Sequence, residues 1–276
     1  MRYLDQIVSA LAEVPGVEAI VLGGSRARGR AHETSDYDLG LYYCAAHLLD
    51  TSRLLDVARI LVDDPDTAEV TPIGGWGPWI VGGAWLSIKG RKVDLIYRNV
   101  DAVAQVIANC RAGDINMHYQ PGHPHGFCPA IWMGEVALCR PLHDPRHALA
   151  KLKATTLPYP PPLSEALIRR FMWEILFSIN NAEPAIVTGD QMQVAGCAYR
   201  ALACVAQVLF ALNERYLINE KGALSEAAEF PLTIAALLPR AAEIWRLVGV
   251  KELGAALATL REIDRELTAL TTARHA

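Results

Sequence analysis

The chain has no closely paired cysteines. Its six cysteines (Cys44, Cys110, Cys128, Cys139, Cys197 and Cys204) are scattered, with no C-x-x-C. That removes the usual sequence case for a paired-cysteine metal or redox site and predicts buried, reduced thiols in a cytoplasmic protein. Basic residues are not in excess either. Lys plus Arg number 26 against 30 Asp plus Glu, for a net charge of -4 and a pI near 6.1. The chain therefore has no general attraction for a polyphosphate backbone, and nucleic acid as a partner would need a local basic patch that the sequence does not display. No secretory leader is apparent, because Met1 runs into Arg2-Tyr3-Leu4-Asp5 without a long apolar core. No apolar stretch reads as long and charge-free enough to cross a bilayer, so no membrane partner is expected. No internal repeat is visible. What is present is ordinary globular composition: 276 residues, 52% hydrophobic and 20% charged. That is enough chain for one large domain or two medium ones with a real core.

Periodicity divides the chain into two halves of different character. Leu4, Ile7, Val8 and Leu11 recur at helical spacing until Pro15-Gly16, and Val17 to Leu22 reads as a short strand. Tyr37 to Tyr43 reads as a second strand, with Leu39 and Leu41 alternating. A helix is expected from Leu48 to about Val62. Two strands, Ala84 to Ile88 and Lys92 to Arg98, are expected to be joined at Lys89-Gly90-Arg91, and a helix follows from Asp101 to about Cys110. Arg111 to Pro129 reads as loop, and Pro145 to Thr155 as helix. The run Leu157-Pro158-Tyr159-Pro160-Pro161-Pro162 reads as a stiff extended linker. Beyond it every segment looks helical: Leu163 to Asn181, a long apolar helix from Gln191 to Leu217, two helices punctuated by Pro231 and Pro239, and Val248 to Thr272. The expected domains are 1–155, α/β with a small mixed sheet, and 156–276, a helical bundle.

The chemistry concentrates in Gly23-Gly24-Ser25-Arg26-Ala27-Arg28-Gly29 and Ser35-Asp36-Tyr37-Asp38-Leu39. An apolar strand stops at two glycines and a serine, and the next strand opens with carboxylates at i and i+2. A Walker A loop is ruled out: Gly24 and Gly29 have its glycine spacing, but Arg30 and Ala31 stand where lysine and a metal-binding hydroxyl are needed. Gly23-Gly24-Ser25 does not make the G-x-G-x-x-G of dinucleotide folds. Asp94, in Val93-Asp94-Leu95-Ile96-Tyr97, is an acid in an apolar strand, a costly placement unless a cation or hydrogen-bond donor faces it.

These elements resemble the nucleotidyltransferase superfamily that includes DNA polymerase β. Its signature is an apolar strand, Gly-Ser, about ten residues, Asp-x-Asp on the next strand and a third carboxylate on a later one. Gly24-Ser25, Asp36-Tyr37-Asp38 and Asp94 match it in order, over about residues 15–98. The helical half resembles the antibiotic nucleotidyltransferases of the kanamycin and streptomycin types in architecture. The resemblance implies that Asp36, Asp38 and Asp94 are catalytic and bind two Mg²⁺. It also implies that Gly24, Ser25 and Arg28 bind the nucleotide, with Lys221 a counterpart of the helical-domain lysine of the streptomycin-type enzymes. Elementary geometry agrees. Alternate strand residues share a face, so Asp36 and Asp38 lie side by side. Mg²⁺ prefers carboxylate, water and phosphate oxygens, and two such ions can clamp an in-line displacement. Arg26, Arg28 or both could add charge at the phosphates, or one could instead pair with an acid in the core.

The expected reaction is transfer of a nucleoside monophosphate, AMP from ATP or the equivalent from another NTP, to a hydroxyl of a small molecule such as an aminoglycoside-like antibiotic. Pyrophosphate leaves, and the enzyme is a monomer or homodimer. Two alternatives remain open: a toxin–antitoxin type enzyme that modifies protein or tRNA, and a non-catalytic nucleotide sensor. Other residues are candidates of lesser standing. His118, His123 and His125 with Cys128 could suit Zn²⁺ but lack ordinary structural-zinc spacing. Trp76, Trp79 and Trp85 could stack on a base or sugar, though burial or a dimer contact is the commoner fate of tryptophan. Asp114, Glu135 and Glu174 are possible acceptor-binding acids.

Overall fold

The structure, a computed structural model, describes residues 3–274. The chain divides into two compact units. One runs through Asn109 and resumes over Asn116–Pro158; the other is Cys110–Ile115 together with the chain from Tyr159 onward.

The first unit is built on one mixed five-stranded sheet. Its strands are β1 (Ala19–Leu22), β2 (Tyr37–Tyr43), β3 (Gly83–Ile88), β4 (Arg91–Asn99) and β5 (Arg140–His143), in the order β3-β4-β2-β1-β5. Among the described strands, β2 and β4 alone run parallel. Around the sheet lie α1 (Tyr3–Ala12), the one-turn α2 (Gly24–Ala27), α3 (Thr51–Leu61), α4 (Val100–Arg111), α5 (Ala130–Leu138) and α6 (Ala148–Ala154). Strand alternation sorts the two faces. Leu39, Leu41 and Tyr43 of β2, with Val93, Leu95 and Tyr97 of β4, join Ile7 and Leu11 of α1 and Leu54, Val57 and Ala58 of α3 in one buried core. The opposite face carries Asp38, Gly40 and Tyr42 of β2 and Asp94, Ile96 and Arg98 of β4. Towards the far ends of these strands it is closed by α5, whose Glu135 takes both Arg98 Nε and Nη2 at 2.8 Å.

The second unit is helical among its described residues: α7 (Pro161–Thr188), α8 (Gln191–Leu212), α9 (Ala223–Ala227), α10 (Leu237–Gly249) and α11 (Leu253–Ala273). Gly189, in the left-handed region at φ 68°, ends α7, and Asp190 opens α8 by accepting a hydrogen bond from the Gln193 amide. Between α7 and α8, Glu174 is held by Arg170 at 2.6 Å and by Arg200.

Several sequence expectations need correction. β5 was not expected; its Pro141 argues against a strand, but β5 pairs only along one side, with β1, where a missing donor is tolerated. The proline run is not simply a linker, because Pro161 and Pro162 begin α7, whose first turn has no use for their absent N–H groups. The long apolar helix stops at Leu212 rather than Leu217. α8 is long and apolar enough to cross a membrane by length and composition, contrary to expectation, but two-thirds of its apolar window (67%) is buried inside the protein, as in a core helix. Of the cysteines, four are buried, whereas Cys44 and Cys197 are partly exposed.

Candidate active site

The parallel pairing of β2 and β4 sets Asp38 directly opposite Asp94. Paired residues on neighbouring strands share a face, about 4.8 Å apart at the backbone. Asp36 lies one residue before β2 and, two positions from Asp38, on the same side. All three carboxylates are partly exposed. Burial and then the negative charges of Asp38 and Asp36 push the Asp94 carboxyl up to about 6, against a weaker opposing pull from Lys92. The three are thus close enough to repel, yet their oxygens do not all fall within 4.8 Å of one another.

The turn between β1 and β2 leans onto this cluster. The Gly23 amide donates to the Asp38 carbonyl at 2.8 Å, extending the β1–β2 ladder by one bond. Gly24 sits at φ +57°, and a Cβ there would lie 1.7 Å from Asp38 Oδ2. Any other residue would strain the backbone and collide with the carboxylate, so glycine is dictated twice over. Ser25 follows in the single turn of α2. Gly29 also has positive φ, at +68°, but nothing lies within 4 Å of its would-be Cβ.

Arg26 departs from expectation. Its Nε donates to the Ser35 and Asp36 carbonyls at 3.2 and 3.1 Å. Its Nη2 donates to the carbonyls of Ser35, at 2.5 Å, and Glu33, at 3.4 Å. The guanidinium also lies 3.9 Å from the centre of the Tyr37 ring. Among the described residues it pairs with no core acid; it is a strut fixing the backbone that carries Asp36. Its targets are main-chain carbonyls, which no motif encodes. Arg28, at the C-terminal end of α2, is partly exposed and remains the candidate for phosphate.

The secondary candidates separate. His118 pairs through its backbone with Phe127, and its ring packs 4.4 Å from Trp79. Among the described residues His118, His123, His125 and Cys128 do not gather as a metal cluster. Trp79 packs with Phe127 and Trp132, while Trp76 stacks on the exposed Trp85 at 4.5 Å. Glu135 and Glu174 are committed to arginines, which removes them as open acceptor ligands. Asp114 and Lys221 belong to the helical unit and are exposed, the Lys221 amide donating to Asn219 Oδ1 at 2.8 Å.

Comparison with known proteins bears on this segment. Residues 5–68 match the family described as Polymerase beta, Nucleotidyltransferase. No curated protein matches the chain. Among solved structures it is similar to a nucleotidyltransferase-like protein from Exiguobacterium sibiricum 255-15, at 12% identity and a TM-score of 0.41, over 95% of this chain and 74% of that one. The matched segment spans β1, the Gly24-Ser25 turn, Asp36 and the Asp38 of β2, so residues 5–68 are similar to a nucleotidyltransferase domain of the polymerase β superfamily.

Proposed function

We propose that the protein is a Mg²⁺-dependent nucleotidyltransferase that moves a nucleoside monophosphate, AMP from ATP, onto a hydroxyl of a small acceptor of aminoglycoside-like chemistry, with release of pyrophosphate. The observation that carries this reading is the Asp38–Asp94 register, with Asp36 alongside and the Gly24 backbone against the Asp38 carboxylate.

The donor set fits a hard divalent ion. It is all oxygen and partly exposed, and burial first, then the charges of Asp38 and Asp36, raises the Asp94 carboxyl, a strain that a bound cation would relieve. Asp36 and Asp38 would hold both metal ions, and Asp94 the one next to the acceptor. Bound there, Mg²⁺ would offset the charge developing on the entering and leaving oxygens. The chain's own residues do the rest. The Gly24-Ser25 turn offers backbone N–H groups and a hydroxyl to the triphosphate, with Arg28 adding charge. Arg26 keeps the Asp36 backbone in register with that turn. Asp94, whose carboxyl burial and acidic neighbours push up to about 6, takes the acceptor hydroxyl proton as that oxygen attacks the α-phosphorus and the bond to pyrophosphate breaks. Such catalysis is mainly positioning and electrostatic stabilisation. Lys221 is a proposed nucleotide ligand, tested by whether Lys221→Ala raises KM for ATP.

Pyrophosphate release from ATP with Mg²⁺, assayed against pooled aminoglycosides, lincosamides and tRNA, tests the reading. Turnover with a drug that vanishes in Asp36→Asn and Asp38→Asn is the expected result. Label appearing on tRNA or protein would move the acceptor to a macromolecule. Tight ATP binding without turnover under any acceptor would make the protein a nucleotide sensor.

A further inference from the structure

The opposite end of β2 carries a second constellation that the reaction above does not use. Cys44 directly follows β2, His47 closes the turn after it, and Glu18 directly precedes β1. Antiparallel pairing of β1 with β2 brings them together: the Glu18 amide donates to the Tyr42 carbonyl at 2.8 Å. The donor atoms converge on one point. Cys44 Sγ lies 3.7 Å from Glu18 Oε1 and 3.6 Å from His47 Nδ1, and His47 Nδ1 lies 3.8 Å from the same Glu18 oxygen.

We propose that Glu18, Cys44 and His47 form a Zn²⁺ site distinct from the carboxylate cluster. A tetrahedral zinc ion sits about 2.3 Å from sulfur and about 2.0–2.1 Å from nitrogen and carboxylate oxygen, which spaces its donors roughly 3.4–3.6 Å apart. The triangle found here matches that within a few tenths of an ångström, so the ion needs almost no rearrangement. A thiol, an imidazole and one carboxylate oxygen are a borderline-soft set, suited to zinc and poor for Mg²⁺.

The surroundings support the ligands. Glu18 divides its oxygens: Oε1 faces Cys44 and His47, while Oε2 accepts from Arg146 at 2.8 Å, an outer-shell bond that orients a one-oxygen ligand. The turn that carries the other two is fixed at both ends. The His47 amide donates to the Cys44 carbonyl at 3.2 Å, and the Ala45 amide to Asp101 Oδ2 at 2.9 Å. A cavity of about 380 Å³, lined by Pro15, Gly16, Glu18, His47 and Arg146 among others, adjoins the site and leaves room for water as the fourth ligand. Binding displaces the Cys44 thiol proton to solvent, so thiolate and carboxylate together neutralise the ion. Cys44 stands six positions beyond Asp38, roughly 20 Å of extended chain, so the two sites are chemically independent.

Titrating the metal-free full-length chain with Co²⁺ tests this. One equivalent is expected to develop a thiolate-to-cobalt charge-transfer band, which oxygen-only ligation at Asp36, Asp38 and Asp94 cannot produce. Zn²⁺ should abolish the band stoichiometrically, and excess Mg²⁺ should leave it. Cys44→Ser should lose it, while His47→Ala, at an exposed position, should weaken binding at least tenfold. Arg146→Ala should keep the band with affinity reduced roughly tenfold. Absence of the band, its persistence in Cys44→Ser, or its displacement by Mg²⁺ overturns the proposal and leaves the nucleotidyl-transfer reading untouched.

Discussion

The two ends of β2 solve opposite electrostatic problems. At its start, Asp36 and Asp38 gather with Asp94 and raise one another's energy; the Asp94 carboxyl is held near 6 by burial and by its acidic neighbours. At its end, Glu18 meets a thiol and an imidazole, and Arg146 already balances its second oxygen. The difference teaches what each end can do. The first end holds an arrangement that ordinary stability would disfavour, as expected where charge awaits a cation and a polyphosphate. The second is a balanced, mixed-donor cluster that a soft ion can enter with little disturbance.

The sharpest way to break this contrast is to neutralise the acidic end. Asp38→Asn is expected to fold and to lower kcat by on the order of 10³-fold or more, since one variant removes both a metal ligand and the partner of Asp94. The same change at Glu18, Glu18→Gln, is expected to leave nucleotidyl transfer within about twofold of wild type, because surface changes remote from a site are usually near neutral. Steady-state pyrophosphate release on both variants decides; comparable losses would mean that β2 acts as one site.

The glycines before β2 offer a more graded test. Gly24→Ala introduces left-handed strain of about 1–2 kcal/mol and sets a methyl 1.7 Å from Asp38 Oδ2. The carboxylate must turn away, and kcat is expected to fall about 10²-fold, the usual effect of a small misplacement. Gly29→Ala carries similar backbone strain with nothing within 4 Å, so it should lose stability but keep kcat. Equal kcat in the two variants would show that Gly24 serves the turn alone. Arg26→Lys should have a milder effect. Lysine cannot span the carbonyls of Glu33, Ser35 and Asp36 together, and a roughly tenfold lower kcat with little change in melting temperature is expected.

The acidic end was legible in the sequence and the other end was not, for a physical reason. β2 declares itself by alternation, with Leu39 and Leu41 against Asp36 and Asp38, and β4 declares itself by one acid among Val93, Leu95 and Ile96. Strand period alone then places the carboxylates on a common face; only their register needed coordinates. Glu18 stands 26 residues before Cys44, and their meeting depends on how β1 pairs with β2. The Cys44-x-x-His47 spacing was the sole trace of that site. The strut role of Arg26 left no trace, because its partners are carbonyls. β5 was hidden by Pro141, and the start of α7 by prolines that suit a first helical turn as well as an extended linker.

The smallest expected effect concerns stability without metal. The folded-state pKa of Asp94 lies above its ordinary value of 3.8, so the native state binds this proton more tightly than the unfolded chain does. The carboxyl therefore does not harm stability below about pH 4. Its penalty grows as pH rises from there and is complete once pH passes about 6. Asp94→Asn removes that penalty. Discounted for half-exposure, the gain is about 1 kcal/mol, or ~2–4 °C in melting temperature for a domain of this size. In EDTA at pH 8 the variant should melt above wild type, and at pH 4 the two should coincide. Saturating Mg²⁺ at pH 8 should reverse the order, because wild type then gains a ligand-stabilised ion that the amide holds less well. A variant that melts lower than wild type in EDTA at pH 8 would mean that Asp94 is stabilised by neighbours rather than opposed by them, and that the acidic end does not carry the charge stress that sets it apart from Glu18, Cys44 and His47.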